Sequence, residues 1–368
     1  MAEAVTLTKA RARGIAVRAQ LLTAPAPTDL LDVAHRLAAI QADPTAAVAP
    51  SAELVCWSRL GERYQPGDLD GALARGALIE FQGMIRPAAD LDLFRAEMRQ
   101  WRDPAELTGW QQSTAEWVEL NDGCRRDILA LLRTDGPLPA KAFPDTTEVP
   151  WRSSGWNDGR NVRMLLELME RRGDIAAAGR DGRERLWDLA ERLHPDGEEV
   201  PLADALRIRA ERRLAALGIA RARTTQTPGE PNDVGEAGIP ATVDGVRGRW
   251  RVDPAYLEPG PAEPRVVLLS PLDRLVYDRK RMAELWDFDY QLEMYKPAAA
   301  RRWGYWAMPI LSGDDLVGKL DATADPTAGR LFVDAVHADL GWPDPLRDRV
   351  DREIDALAAF LGLRTERR

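Results

Sequence analysis

Gln41-Ala42-Asp43-Pro44 is the stretch whose residue types and spacing could do chemistry. An amide and a carboxylate two residues apart can grip a water or a developing cation, provided both face the same way. In a helix they would point roughly 200° apart, whereas in an extended segment residues i and i+2 share a face. Pro44 favours the extended case, because its ring clashes with the preceding backbone and pushes Asp43 out of the α region. The element that must position the pair lies just before it. Leu31, Ala34, Leu37, Ala38 and Ile40 fit an apolar helical stripe entered from Thr28-Asp29, which can cap it, and the helix is predicted to stop near Gln41. A helix ending in Asp-Pro is also a common turn, so the motif needs support from its surroundings.

That support comes from two separated stretches. Gln41-Ala42-Asp43 is followed by an apolar and aromatic run ending in Trp57-Ser58-Arg59-Leu60-Gly61. Far downstream stand Ser270-Pro271-Leu272-Asp273-Arg274-Leu275-Val276-Tyr277-Asp278-Arg279, then Phe288-Asp289-Tyr290-Gln291-Leu292-Glu293-Met294-Tyr295, Pro297-Ala298 and Gly304-Tyr305. In order and spacing these resemble the YcaQ/AlkZ-like family of winged-helix DNA glycosylases, which unhook DNA crosslinks and excise alkylated purines. Family members commonly carry an Arg and a His shortly after the motif; this chain has Ala49-Pro50-Ser51-Ala52-Glu53 there, which lowers the local attraction for phosphate.

The resemblance implies a monofunctional glycosylase acting on N7-alkylated purines or their interstrand crosslinks, with no cofactor and no metal. Base removal breaks the N-glycosidic bond through a cation-like sugar, as glycoside hydrolysis does. A purine already alkylated at N7 carries positive charge and leaves readily, so the site needs a positioned water and a negative charge near the sugar. Carried over from the family's Gln-x-Asp/Gln motif, Asp43 is the general base or electrostatic stabiliser and Gln41 orients the water. Arg59 contacts phosphate or holds the Gln41 loop, and Trp57 belongs to the core. Asp273, Arg279, Asp289, Tyr290 and Glu293 either support the site or build the C-terminal domain as a structural network.

Composition bounds the remaining classes. The chain has 368 residues, 45% apolar and 30% charged, with no long apolar run, as expected of a soluble cytoplasmic, nucleoid-associated protein with no membrane partner, read here as a monomer. Cys56 and Cys124, without a CxxC, and the three histidines argue against a zinc site, a disulfide framework or a Cys-His pair. A net charge of −9 counts against a protein that simply coats nucleic acid, although phosphate contacts depend on the local face. The preference for Arg over Lys suits bidentate phosphate contacts and equally follows from genomic composition.

Along the chain the pattern is mainly α with β: tandem winged helix-turn-helix units followed by a small antiparallel, barrel-like β domain. Predicted boundaries are 1–105, with the catalytic loop, 106–198, 199–263 and 264–368. The first unit has a helix from Thr8 to Leu22, the motif helix, a short helix from Asp68 and a hairpin over 77–86. The second has a helix through Ile128–Leu132, a Pro-rich loop holding Trp151 and Trp156, a helix over Val162–Met169 and a hairpin turning at Gly179–Gly182. The third has a basic helix from Leu202 to Gly218, whose Arg207 and Arg209 are candidate DNA contacts, then a hairpin turning at Asp244-Gly245. Alternation there puts Arg247, Arg249 and Arg251 on one face, either a solvated face or a wing that touches DNA phosphates. A non-catalytic winged-helix DNA-binding or regulatory protein is the alternative reading, because winged helices more often bind than catalyse. A carboxylate facing DNA is costly to a pure binder and useful to a glycosylase. A protein-interaction scaffold would fit the acidic charge but leaves both motif matches unexplained.

Overall fold

The computed structural model describes residues 4–151, 160–225, 229–258, 260, 263–339 and 341–368, so Trp156 of the Pro-rich loop lies outside the described residues. The chain forms two compact units, Met1–Asp70 with Ala210–Arg368, and Gly71–Arg209. Among the described residues no helix is long and apolar enough to cross a membrane.

In the first unit the helix Lys9–Ala19 is capped by Thr8, whose side chain accepts from the Arg11 amide. Ile15, Ala16 and Val17 bury against Val243, Trp250, Val267 and Leu285 in one core. A four-stranded sheet has the order Val5–Leu7, Ile239–Val243, Val246–Val252, Ile219–Arg221. A second sheet has five strands in sequence order, Val266–Leu268, Met308–Ser312, Asp315–Asp325, Arg330–Ala338 and Arg364–Arg367. The helix Asp344–Phe360 buries Leu346, Val350, Ile354 and Leu357 at the spacing of one helical face.

In the second unit the hairpin Leu78–Phe81 and Met84–Pro87 is followed by the helices Asp92–Trp101, Gly109–Leu120, Asp122–Asp135 and Asn161–Arg171, then the hairpin Ile175–Asp181 and Glu184–Leu189. Ile128, Leu132, Leu165, Leu166, Met169 and Leu189 share its core.

Three expectations are corrected. The motif helix ends at Leu37, because Ala38 takes φ 60° and turns the chain into the short strand Ile40–Gln41. The C-terminal sheet is open among the described residues and not wholly antiparallel, since Arg364–Arg367 runs parallel to Arg330–Val333. The second hairpin turns at Gly182, with a register shift between Ala177 and Arg180.

Candidate active site

Asp29 starts the motif helix by accepting the Asp32 amide proton at 2.8 Å. The helix Leu30–Leu37 presents Val33, Ala34 and Leu37 to the interior. At its end the Ala39 N–H donates to the Leu37 carbonyl at 2.7 Å across Ala38, a three-residue turn of the rarer kind with positive φ at its centre. Gln41 is half-exposed, Ala42 is buried and Asp43 is half-exposed. Asp43 Oδ1 accepts the Thr45 N–H at 2.8 Å, which spans Pro44 and fixes the carboxylate in an Asx turn. Gln41 Oε1 is buried without a hydrogen-bond partner, an arrangement that costs about 1–3 kcal/mol until a donor arrives.

The loop after Asp43 is anchored at both ends. The Ala324 N–H, on the strand Asp315–Asp325, donates to the Ala47 carbonyl at 2.8 Å. Ser51, at the start of the helix Ser51–Leu60, shares a buried hydroxyl–hydroxyl bond of 2.8 Å with Ser270. In the last turn of the same helix, Arg59 forms a fully buried double hydrogen bond with Asp273, its Nη2 lying 3.1 Å from Oδ1. Arg59 Nε also donates to the Gln20 carbonyl at 3.0 Å, and Asp273 caps the short helix Arg274–Tyr277. Thus the two stretches that are distant in sequence meet through Ser51–Ser270 and Arg59–Asp273. Trp57 is buried and stacks on Phe360 at 5.7 Å.

This corrects the phosphate-binding reading of Arg59: it has no exposed surface. Arg209 is likewise occupied, paired with Glu97 at 2.7 Å and lying 3.9 Å over the Phe94 ring. Arg251 is tied to the Ala237 carbonyl at 2.8 Å and the Gly238 carbonyl at 2.6 Å. Arg207, Arg247 and Arg249 are exposed. Strict alternation along that strand fails at Gly248, whose φ of 106° accommodates the Arg221 guanidinium where a Cβ would stand.

Among the downstream residues, Tyr290 is buried and donates to the Ala307 carbonyl at 2.6 Å. Arg279 donates to the Pro271 and Val276 carbonyls and lies 4.5 Å over the Tyr290 ring; burial holds its pKa below the usual arginine range. Glu293 is buried and accepts the amides of Arg302 and Trp303 and the Lys296 ammonium. Burial alone would raise its pKa, but these donors outweigh burial and hold it below the ordinary carboxylate value. Asp289 is exposed and pairs with Arg302 at 2.7 Å.

Near the motif, burial raises the Glu53 pKa, with Asp70 and Asp68 adding to the effect. Burial also pushes the Cys56 thiol far above its ordinary value, so it offers no thiolate nucleophile. Sequence reading missed Ser51 as a loop anchor and the Ala47–Ala324 contact. Ser270 lay within a quoted stretch, whereas a backbone contact leaves no residue-type signal.

A family model described as DNA glycosylase AlkZ-like matches residues 34–360, a span that takes in both stretches. The chain belongs to this family, whose reaction class is hydrolysis of N-glycosyl bonds in DNA. Among solved structures it is similar to the Streptomyces sahachiroi DNA glycosylase AlkZ, with a TM-score of 0.60 at 16% identity, covering 99% of this chain and 100% of that one.

Proposed function

We propose that this protein is a monofunctional DNA-repair glycosylase that hydrolyses the N-glycosidic bond of N7-alkylated purines, including those in interstrand crosslinks. The observation that carries the reading is a half-exposed carboxylate, fixed by its own turn, two residues from an amide oxygen with no partner. In the proposed step a water donates one hydrogen bond to Gln41 Oε1 and the other to Asp43 Oδ2. Its oxygen bonds to C1′ as the C1′–N9 bond breaks, with the bonding electrons passing to the purine and cancelling the charge of its alkylated ring. The released proton goes to Asp43. A carboxylate beside the sugar also stabilises the cationic character that develops there.

The same reading takes 1–105, 106–198 and 199–263 as winged helices and 264–368 as a β domain, acting as a monomer on duplex DNA. It is supported by the helix-then-hairpin order over 161–189 and 202–252. The exposed Arg207, Arg247 and Arg249 are its candidate phosphate contacts.

The test is base release from duplex DNA carrying N7-methylguanine, with an N7-linked crosslink as second substrate. Asp43→Asn should lower the rate by about 10²–10⁴ while DNA affinity holds or rises, since a negative charge near phosphates is removed. A folded parent protein that binds duplex DNA yet releases neither base would instead indicate a non-catalytic DNA-binding protein.

A further inference from the structure

Tyr295 is 87% exposed, an unusual position for so large a ring. Its backbone is nevertheless well fixed. The buried Glu293 accepts the Arg302 amide at 2.7 Å, the Trp303 amide at 2.8 Å and the Lys296 ammonium at 2.8 Å, closing the base of the loop. The Lys296 N–H returns to the Glu293 carbonyl at 2.9 Å, and Arg301 Nε donates to the Lys296 carbonyl at 3.0 Å. Tyr295 therefore projects from a turn braced on both flanks. The cations around it are held in solvent-facing ion pairs or over rings: Arg302 with Asp289, and Arg301 at 5.0 Å over Tyr305. Exposed pairs of this kind are weak and exchange readily for phosphate.

The segment that follows this turn and the loop that follows Asp43 both reach the strand Asp315–Asp325. Gly304, at φ 117°, approaches the Asp321 carboxylate so closely that a Cβ there would stand 2.0 Å from its carbon. Three residues along the same strand, Ala324 holds Ala47 of the Gln41–Pro50 loop.

We infer that Tyr295 is a DNA-contacting residue whose ring packs against a base or deoxyribose of the bound duplex, with Arg302 turned to a flanking phosphate. This rests on the glycosylase reading for DNA as the partner, and on the loop for the contact itself. An aromatic ring on a rigid turn supplies stacking area at little entropic cost, and stacking tolerates any base.

The test compares the parent, Tyr295→Ala and Tyr295→Phe for binding to a duplex carrying one tetrahydrofuran abasic-site analogue, by fluorescence anisotropy across a salt series, with base release measured in parallel. Tyr295→Ala should bind on the order of tenfold more weakly, and Tyr295→Phe should keep the parent's affinity. Neither change removes a phosphate contact, so the salt dependence should hold. Equal affinity of parent and Tyr295→Ala overturns the inference, and excision by that parent would leave the glycosylase reading standing. A parent that binds but releases no base, with weaker binding by Tyr295→Ala, would keep the inference and remove the enzyme. A folded parent that does not bind the duplex would overturn both.

Discussion

In the proposed step Gln41 and Asp43 divide one task unequally, and the division is testable at each side chain. Asp43 is asked to accept a proton, whereas Gln41 only orients the water. Gln41→Ala should therefore lower kcat by about 10–100-fold, less than Asp43→Asn, with KM nearly unchanged, because the lost hydrogen bond matters more in the transition state than in the ground state. Steady-state excision kinetics would check this, and a rise in KM at constant kcat would make Gln41 a substrate-binding residue instead. The change from helix to extended backbone near Gln41 was legible in the sequence because its signal is local, a proline that keeps the residue before it out of the α region. Arg59 was not legible in the same way. Nothing within its own segment tells that a carboxylate 214 positions away will enclose it, so an arginine bound for the core looked like one that could touch phosphate.

At the scale of elements, the question is what keeps the Gln41–Pro50 loop in place. The helix Ser51–Leu60 is bound to the segment Ser270–Asp273 by a serine pair and a buried ion pair, and both act on the helix that begins where the loop ends. Leaving either charge buried without its partner costs about 3–5 kcal/mol, while replacing both with apolar side chains of similar volume costs far less. Arg59→Met and Asp273→Leu should each destabilise the protein by roughly that amount, and the double variant should recover most of the loss in urea unfolding. Additive losses would mean that the pair does not act as a unit. An element with a regular apolar face, Asn161–Arg171, followed from periodicity. Elements without one did not: Gly109–Leu120 carries Gln111, Gln112, Ser113, Thr114 and Glu116, and the edge strand Arg364–Arg367 reads Arg-Thr-Glu-Arg. The premature end of the motif helix was hidden for another reason, since Ala38 takes a positive φ that an L-residue locally disfavours.

For the whole molecule, the arginine-rich composition has a use other than DNA. Arg59, Arg172, Arg209, Arg213 and Arg221 are spent on internal ion pairs, which reconciles many guanidinium groups with a net charge of −9. Buried titratable groups then set how stability responds to pH. In the Gly71–Arg209 unit, burial pushes the Glu170 carboxyl up to about 7, partly offset by Arg185 and the Gln82 amide. Burial, with Arg95 adding to it, pushes His194 down to about 4. As pH rises from about 4.5 to 7, unfolded Glu170 loses its proton while the folded group keeps it, so its contribution to stability falls. As pH rises from about 4 to 6.5, unfolded His194 still binds a proton that the folded group has released, so its contribution grows. The two slopes oppose each other over nearly the same window. Glu170→Gln keeps the neutral shape and removes the falling slope. The variant should match the parent near pH 4.5 and exceed it by about 3 kcal/mol at pH 7, one pKa unit being worth about 1.4 kcal/mol. Urea unfolding of the full chain, with hydrogen exchange over residues 161–171 to follow this unit, would read the difference between variant and parent at each pH and so cancel every other titration. A constant difference across that range would mean that Glu170 titrates in the folded protein as it does in the unfolded chain, and that the opposing slope of His194 goes unanswered by it.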